Sequence, residues 1–225
     1  MKKIRVGVVH TFYGIVEAVR AEFARQFPQV EVVNIADDSL LTEALEHGGL
    51  TPGVLARICG YYRSLQEFGC VCVLNSCSTV GEAARYCAPL VSVPVLRIDA
   101  PMAARAVELG SRVAVVATAS STIGPSCRLV EEAAQKAGRS VAVEPRLVEG
   151  VYEAMRAGGG QEAHDRLVAE AVRDAAREHD VIVLAQGSMH RILPLVCGAG
   201  RPVLASLESG VAQVGAYLQR PAALL

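Results

Sequence analysis

Apolar positions along this chain fall into two kinds of stretch. Short valine-rich runs, apolar at successive rather than alternate positions, occur at VGVVH (6–10), VEVVNI (30–35), VCVLN (71–75) and VPVLRI (93–98). Four more follow at RVAVVAT (112–118), VAVEPRL (141–147), VIVLAQ (181–186) and PVLASL (202–207). Runs of this kind read as strands covered on both faces, as in a parallel sheet. Between them lies text with helical spacing. One stretch carries Leu55, Ile58, Tyr62, Leu65 and Phe68, and another carries Leu167, Val168, Ala171, Val172 and Ala175. Strand and helix in alternation predict an α/β fold with helices on both sides of parallel sheets.

Three of the apolar strings recur in order. VGVVHT (6–11) returns as VAVVAT (113–118), VLNSCS (73–78) as VLAQGS (183–188), and PVLRID (94–99) as PVLASL (202–207). The offsets are 107, 110 and 108 residues, which predicts a duplicated unit. The last stretch, SLESGVAQVGAYL (206–218), reads as one helix and is too short for a further unit. It is expected to cross back to the first half. The expected lobes are 1–98 with 208–225, and 99–207. They form two pseudo-symmetric Rossmann/flavodoxin-like halves with the active site in the cleft between them.

Composition narrows the class without changing this picture. The 225 residues are 52% hydrophobic and 20% charged, ample for a core. Basic and acidic residues number 22 and 23, and neither forms a tract, which argues against nucleic acid and membrane surfaces as partners. MKKIRVGVVHTFYG lacks an apolar segment long enough for a secretion signal and reads as a first strand. The seven cysteines are odd in number, show no disulfide or zinc spacing, and suit a reducing cytoplasm. No metal or cofactor is expected. Cys70 and Cys72 read as strand core, Cys59 as helical, Cys127 as lying near a helix start, and Cys87 and Cys197 as preceding loops.

Ligands of parallel sheets bind beyond the carboxyl ends of the strands. Those ends carry His10-Thr11, Asn75-Ser76-Cys77-Ser78-Thr79, Thr118-Ala119-Ser120-Ser121-Thr122 and Gln186-Gly187-Ser188-Met189-His190. Hydroxyls and exposed N–H groups there suit an anion, and the scarcity of charge predicts recognition by hydrogen bonds rather than by an arginine. Thr79-Val80-Gly81-Glu82 fits a capping box, with Thr79 as N-cap of a helix starting at Val80. Cys77 then precedes the positive end of a helix dipole, which favours a thiolate. His10 and His190 can titrate near neutral pH.

On the duplicated halves, the C-terminal return, the Cys77 loop, ATASST (117–122) and VIVLAQGSM (181–189), the chain resembles the aspartate/glutamate racemase superfamily. That superfamily also holds hydantoin racemase, maleate isomerase and arylmalonate decarboxylase. The resemblance implies a pyridoxal-phosphate-independent enzyme, an isomerase with a lyase as the variant possibility. It would act at the carbon next to a carboxylate of a small acid, and would assemble as a homodimer or higher homo-oligomer. Racemases of the superfamily use one cysteine from each half. Cys77 matches the first. Anchored on Met189 the second falls on Gln186, whereas the internal repeat sets Gly187 opposite Cys77, so neither alignment supplies a thiol. The resemblance implies Cys77, His10 and His190 as catalytic residues. Thr11, Asn75, Ser78, Thr79, Thr118, Ser121, Thr122, Gln186, Gly187 and Ser188 are implied as substrate-binding. Three chemistries stay open: racemisation with a mixed pair, one-thiol decarboxylation, and cis-trans isomerisation by thiol addition. A carboxylate-binding protein without turnover is the fourth reading.

Overall fold

The computed structural model describes residues 4–154, 158 and 160–218. The chain divides into two compact units: one runs to Asp99 and resumes at Leu207, and the other is Ala100–Ser206. Each holds a four-stranded, wholly parallel sheet.

In the first unit the strands are β1 (Ile4–His10), β2 (Val30–Ala36), β3 (Cys70–Asn75) and β4 (Val95–Arg97), in the spatial order β2-β1-β3-β4. The helices are α1 (Val16–Gln26), α2 (Ser39–Glu46), α3 (Pro52–Glu67) and α4 (Ala83–Cys87). Side chains of β1 and β3 alternate between two faces. Val6, Val8, Cys72 and Leu74 meet Val19 and Phe23 of α1, whereas Val9, Cys70 and Val73 meet Leu40, Ile58, Tyr62 and Leu65. Full burial of each such aliphatic side chain contributes about 1.5–3 kcal/mol. The helix α3 begins where Thr51 accepts a 3.0 Å hydrogen bond from the Val54 N–H and Pro52 occupies the first turn. Gly7 lets this helix approach the sheet, since a Cβ there would lie 2.7 Å from Leu65 Cδ1. Phe68, expected on the helix's core face, is instead exposed beyond the helix end, with the Arg5 guanidinium 4.6 Å from its ring centre.

The second unit repeats the plan. Its strands β5 (Arg112–Ala117), β6 (Ala142–Leu147), β7 (Val181–Leu184) and β8 (Val203–Ala205) run in the order β6-β5-β7-β8. Its helices are α5 (Ala100–Leu109), α6 (Ser120–Lys136), α7 (Val151–Ala154) and α8 (Gly160–Glu178). A 3₁₀ helix follows at Gly187–Leu195. Helices α5 and α6 pack on Val113, Val115, Val181 and Val183, and α8 packs on Ala114, Val116, Ile182 and Leu184. All eight apolar runs are strands, but β6 is largely exposed. It is an edge strand, where Pro145 removes no needed ladder donor.

The closing stretch forms two short helices, α9 (Ser206–Ala212) and α10 (Gly215–Leu218), with a turn at Gln213-Val214 in place of one helix. Leu207, Val211 and Val214 join the β1 and β3 side of the first unit's core. Gly210 passes so near the chain leaving β4 that a Cβ would lie 2.3 Å from the Ile98 carbonyl oxygen. Among the described residues no helix is long and apolar enough to cross a membrane.

Candidate active site

The carboxyl ends of β1 and β3 are joined by side chains rather than by backbone alone. His10 is fully buried, with Nε2 2.9 Å from Asn34 Oδ1 and Nδ1 2.9 Å from Ser76 Oγ. Burial pushes its pKa below the ordinary imidazole value, opposed in part by the bond to Asn34. The neutral ring has one donor and one acceptor nitrogen. Both nitrogens meet a polar side chain, and the Ser76 hydroxyl also donates to the Val9 carbonyl at 3.1 Å, so its single proton is contested between that carbonyl and Nδ1. Thr11 follows, nearly fully buried, and its Oγ1 is a buried hydroxyl with no hydrogen-bond partner. Such an atom carries a desolvation cost that a ligand or a water relieves.

Asn75 ends β3 and organises the loop after it. Its Oδ1 accepts the Cys77 N–H at 3.1 Å, and its Nδ2 donates to the Tyr62 hydroxyl at 2.8 Å and approaches the Val80 carbonyl at 3.5 Å. Tyr62 is fully buried, and burial pushes its phenol well above the ordinary value. Cys77 is half-buried beside the apolar cluster of α2, α3 and α4. Ser78 and Thr79 are buried, and the Ser78 carbonyl accepts the Gly81 N–H at 3.1 Å. The helix does not start at Val80. Residues 79–82 are turns with i to i+3 bonds, and α4 begins at Ala83 with Glu82 at its N-cap. A helix of five residues sums few peptide dipoles, so the dipole expected to act on Cys77 is correspondingly small.

Charge is not scarce at this end of the sheet. Arg97, the last residue of β4, forms a two-toothed ion pair with Asp99, with Nε and Nη2 each 3.0 Å from a carboxylate oxygen. Both side chains are largely buried, at 13% and 2% exposure. The sequence leaves this pair unmarked because Arg97 sits in an apolar run, and nothing in VPVLRID signals that its guanidinium turns toward the Cys77 loop.

In the second unit, Thr118 directly follows β5 and Gln186 lies two residues past β7. Gln186 Oε1 accepts the Thr118 N–H at 2.6 Å and the Thr118 hydroxyl at 3.0 Å. A backbone N–H can only donate, which fixes the oxygen toward Thr118 and turns the amide's two N–H donors the other way. Helix α6 begins with Ser120, and Ser121 Oγ is buried without a hydrogen-bond partner. Thr122 is buried, its N–H bonded to the Ala119 carbonyl. The Gly187 carbonyl accepts from His190 Nδ1 at 2.9 Å, so Nδ1 carries the proton and Nε2 is the basic nitrogen. The Ser188 carbonyl accepts from Arg191, which also pairs with Asp165 of α8 and anchors this loop. Among the described residues no three His, Cys, Asp or Glu groups gather to hold a metal ion.

Sheet register decides which residue of the second unit answers Cys77. Val9 pairs with Asn75, and Val116, its counterpart 107 residues on, pairs with Leu184. The Ser76 N–H donates to Val9 O as the Ala185 N–H donates to Val116 O. From the other side, Val73 pairs with Val95 as Ile182 pairs with Val203. Both neighbours therefore equate Asn75 with Leu184, an offset of 109, and Cys77 with Gln186. The string match that put Gly187 opposite Cys77 is one residue out, because letters at a strand end can slip where ladder hydrogen bonds cannot.

Comparison with known proteins bears on this arrangement. Residues 7–214 match the family model described as Asp/Glu/Hydantoin racemase. The search of curated proteins gave no match. Among solved structures, glutamate racemase isoform RacE1 from Bacillus anthracis is similar at 17% identity and TM-score 0.74, over 97% of this chain and 83% of that one. Allantoin racemase from Klebsiella pneumoniae is similar at 17% identity and TM-score 0.68, over 96% and 87%. Aspartate racemase from Picrophilus torridus is similar at 13% identity and TM-score 0.67, over 96% and 95%. The fold is thus that of these racemases, which are isomerases, and the family match extends over nearly the whole chain. The chain belongs to the Asp/Glu/hydantoin racemase family.

Proposed function

We propose that the protein is a cofactor-independent, racemase-like enzyme acting at the carbon next to a carboxylate of a small acid, with Cys77 as the thiol acid/base. The observation that carries this reading is the setting of Cys77. It lies two residues past β3, half-buried, on a loop whose backbone is held by Asn75 and, through Asn75, by Tyr62. That fixes a thiol at a strand end, where a ligand of a parallel sheet is met. The Cys77 thiolate takes the α-proton, and the electron pair left behind spreads onto the carboxylate as an enolate. Fixed donors stabilise that charge. Gln186 offers its outward N–H groups, and the buried hydroxyls of Thr11 and Ser121 have no protein partner to compete with a ligand. Ser78, Thr79, Thr118, Thr122, Gly187 and Ser188 complete the proposed binding set. Asn75 contributes by holding the loop.

Racemisation requires a second proton carrier, and His190 is the second unit's candidate, with Nε2 as its basic nitrogen. The register that equates Cys77 with Gln186 favours a second reading, in which one thiol works alone, as in decarboxylation or cis-trans isomerisation. Incubation in deuterated water separates them. Aspartate, glutamate, allantoin, hydantoins, malonates and maleate are supplied to the parent and to Cys77→Ala. Deuterium entering the α-position with inversion supports the racemase. Carbon dioxide release or geometric isomerisation, lost in Cys77→Ala, supports the one-thiol reading. Turnover that persists in Cys77→Ala, or none with any compound, overturns the assignment of Cys77.

A further inference from the structure

The proposed function assigns no positive charge to a substrate that is an anion, yet one stands beside the Cys77 loop. Arg97 ends β4 and pairs in the sheet with Asn75, the residue that holds the Cys77 N–H. Its guanidinium lies against Gly81, four residues after Cys77. A Cβ added to Gly81 would sit 2.7 Å from Nη2, 2.8 Å from Cζ and 2.9 Å from Nε. The planar group therefore occupies the space that any larger residue at position 81 would fill. Asp99 fixes its orientation through Nε and Nη2, and the Gln213 amide donates to the Arg97 carbonyl at 2.7 Å, holding its backbone.

Stability gives little reason for such a pair. Burying two charges costs desolvation that their attraction barely offsets, and apolar residues of the same volume serve a fold as well or better. What the pair achieves is a cation of fixed position and plane. Arginine's five donors form a fork matched to carboxylate oxygens, and Asp99 engages one edge of it. The second unit has no equivalent, since the register that equates Asn75 with Leu184 sets Ala205 in the place of Arg97. Arg97 is thus not repeated at the matching strand position of the second unit.

We infer that Arg97, oriented by Asp99 and seated on Gly81, is the residue that recognises the substrate carboxylate beside Cys77. This rests on the proposed function, and deepens it by assigning the charge that selects a carboxylate over its neutral analogue.

The test needs no knowledge of the substrate. Iodoacetate and iodoacetamide alkylate a thiolate by the same displacement, with sulfur bonding to the methylene carbon as iodide leaves, and they differ in carrying a carboxylate or a neutral amide. Peptide mass mapping gives the rate at Cys77 for each, and glutathione gives the ratio for a free thiol. In the parent the iodoacetate to iodoacetamide ratio at Cys77 exceeds that of glutathione. In Arg97→Met it falls by about tenfold, the scale of one charge-assisted pair. Gly81→Ala pushes the guanidinium off its seat and lowers the ratio with the charge still present. Arg97→Lys, which keeps charge without the fork, falls between parent and Arg97→Met. A parent ratio no higher than that of glutathione, or an unchanged ratio in both Arg97→Met and Gly81→Ala, overturns the assignment. So does an equal fall of both rates, which marks a merely structural residue. Should Arg97→Met fail to fold, Gly81→Ala and Arg97→Lys decide. Failure of the proposed function reads out separately, as turnover surviving in Cys77→Ala.

Discussion

Tyr62→Phe tests whether the Cys77 loop is held as described. Tyr62 is fully buried in α3, and its hydroxyl lies 2.8 Å from Asn75 Nδ2. The substitution keeps the ring and removes one oxygen. Asn75 Nδ2 is then left with the Val80 carbonyl at 3.5 Å, at the limit of a hydrogen bond, inside a site that is 1% exposed. A buried donor left without a good acceptor costs about 1–3 kcal/mol, more than the 0.5–1.5 kcal/mol net worth of an ordinary hydrogen bond. The hydroxyl leaves too small a void for a water to be held by several partners. The expected loss is therefore about 1–3 kcal/mol in urea unfolding followed by far-ultraviolet circular dichroism. The Asn75 amide, freed on one side, holds the Cys77 N–H less firmly, so iodoacetamide should label Cys77 faster in the variant than in the parent. Stability unchanged within about 0.5 kcal/mol, together with an unchanged labelling rate, would refute the role given to the Tyr62, Asn75 and Cys77 chain.

Burial and close packing set two more expected outcomes. Burial lowers the pKa of His10, and also that of His164 on α8, where the 2.9 Å contact with Asp165 opposes it in part. Below pH 6.5 the unfolded chain therefore takes up protons that the native protein does not, and stability falls as pH drops from 6.5 toward the native values. Urea midpoints measured from pH 8 to pH 5 should show this loss, and His10→Gln, which cannot titrate, should make it shallower; an equal slope in both proteins refutes it. Gly210→Ala should destabilise by about 1–3 kcal/mol, because its Cβ meets the Ile98 carbonyl at 2.3 Å and a backbone oxygen cannot swing aside. Urea unfolding checks this, and a neutral substitution would show that α9 moves freely over the chain beyond β4.

Much was legible in the sequence because it depends on local pattern. The eight valine-rich runs are the eight strands, and the spacing of Ile58, Tyr62 and Leu65 marks the buried side of α3. The repeated strings and the Cys77 loop carried the family resemblance. These features are set by side-chain periodicity, which a strand or a helix imposes on its own residues. The make-up of the site depends instead on neighbours distant in sequence. Cys77 answers to Gln186, not Gly187, because the ladders from β1 and β4 to β3, and from β5 and β8 to β7, fix the register to the residue. The helix after Cys77 starts at Ala83 and not at Val80, although the capping letters are present at 79 and 82. His10 is wholly enclosed by Asn34 and Ser76, and Arg97 is laid on Gly81 by Asp99. Periodicity says which side of an element is apolar. Which polar groups meet at its end is decided only when sheet register brings separate strands level, since a hydrogen bond or ion pair forms over about 3 Å and no local pattern encodes that distance.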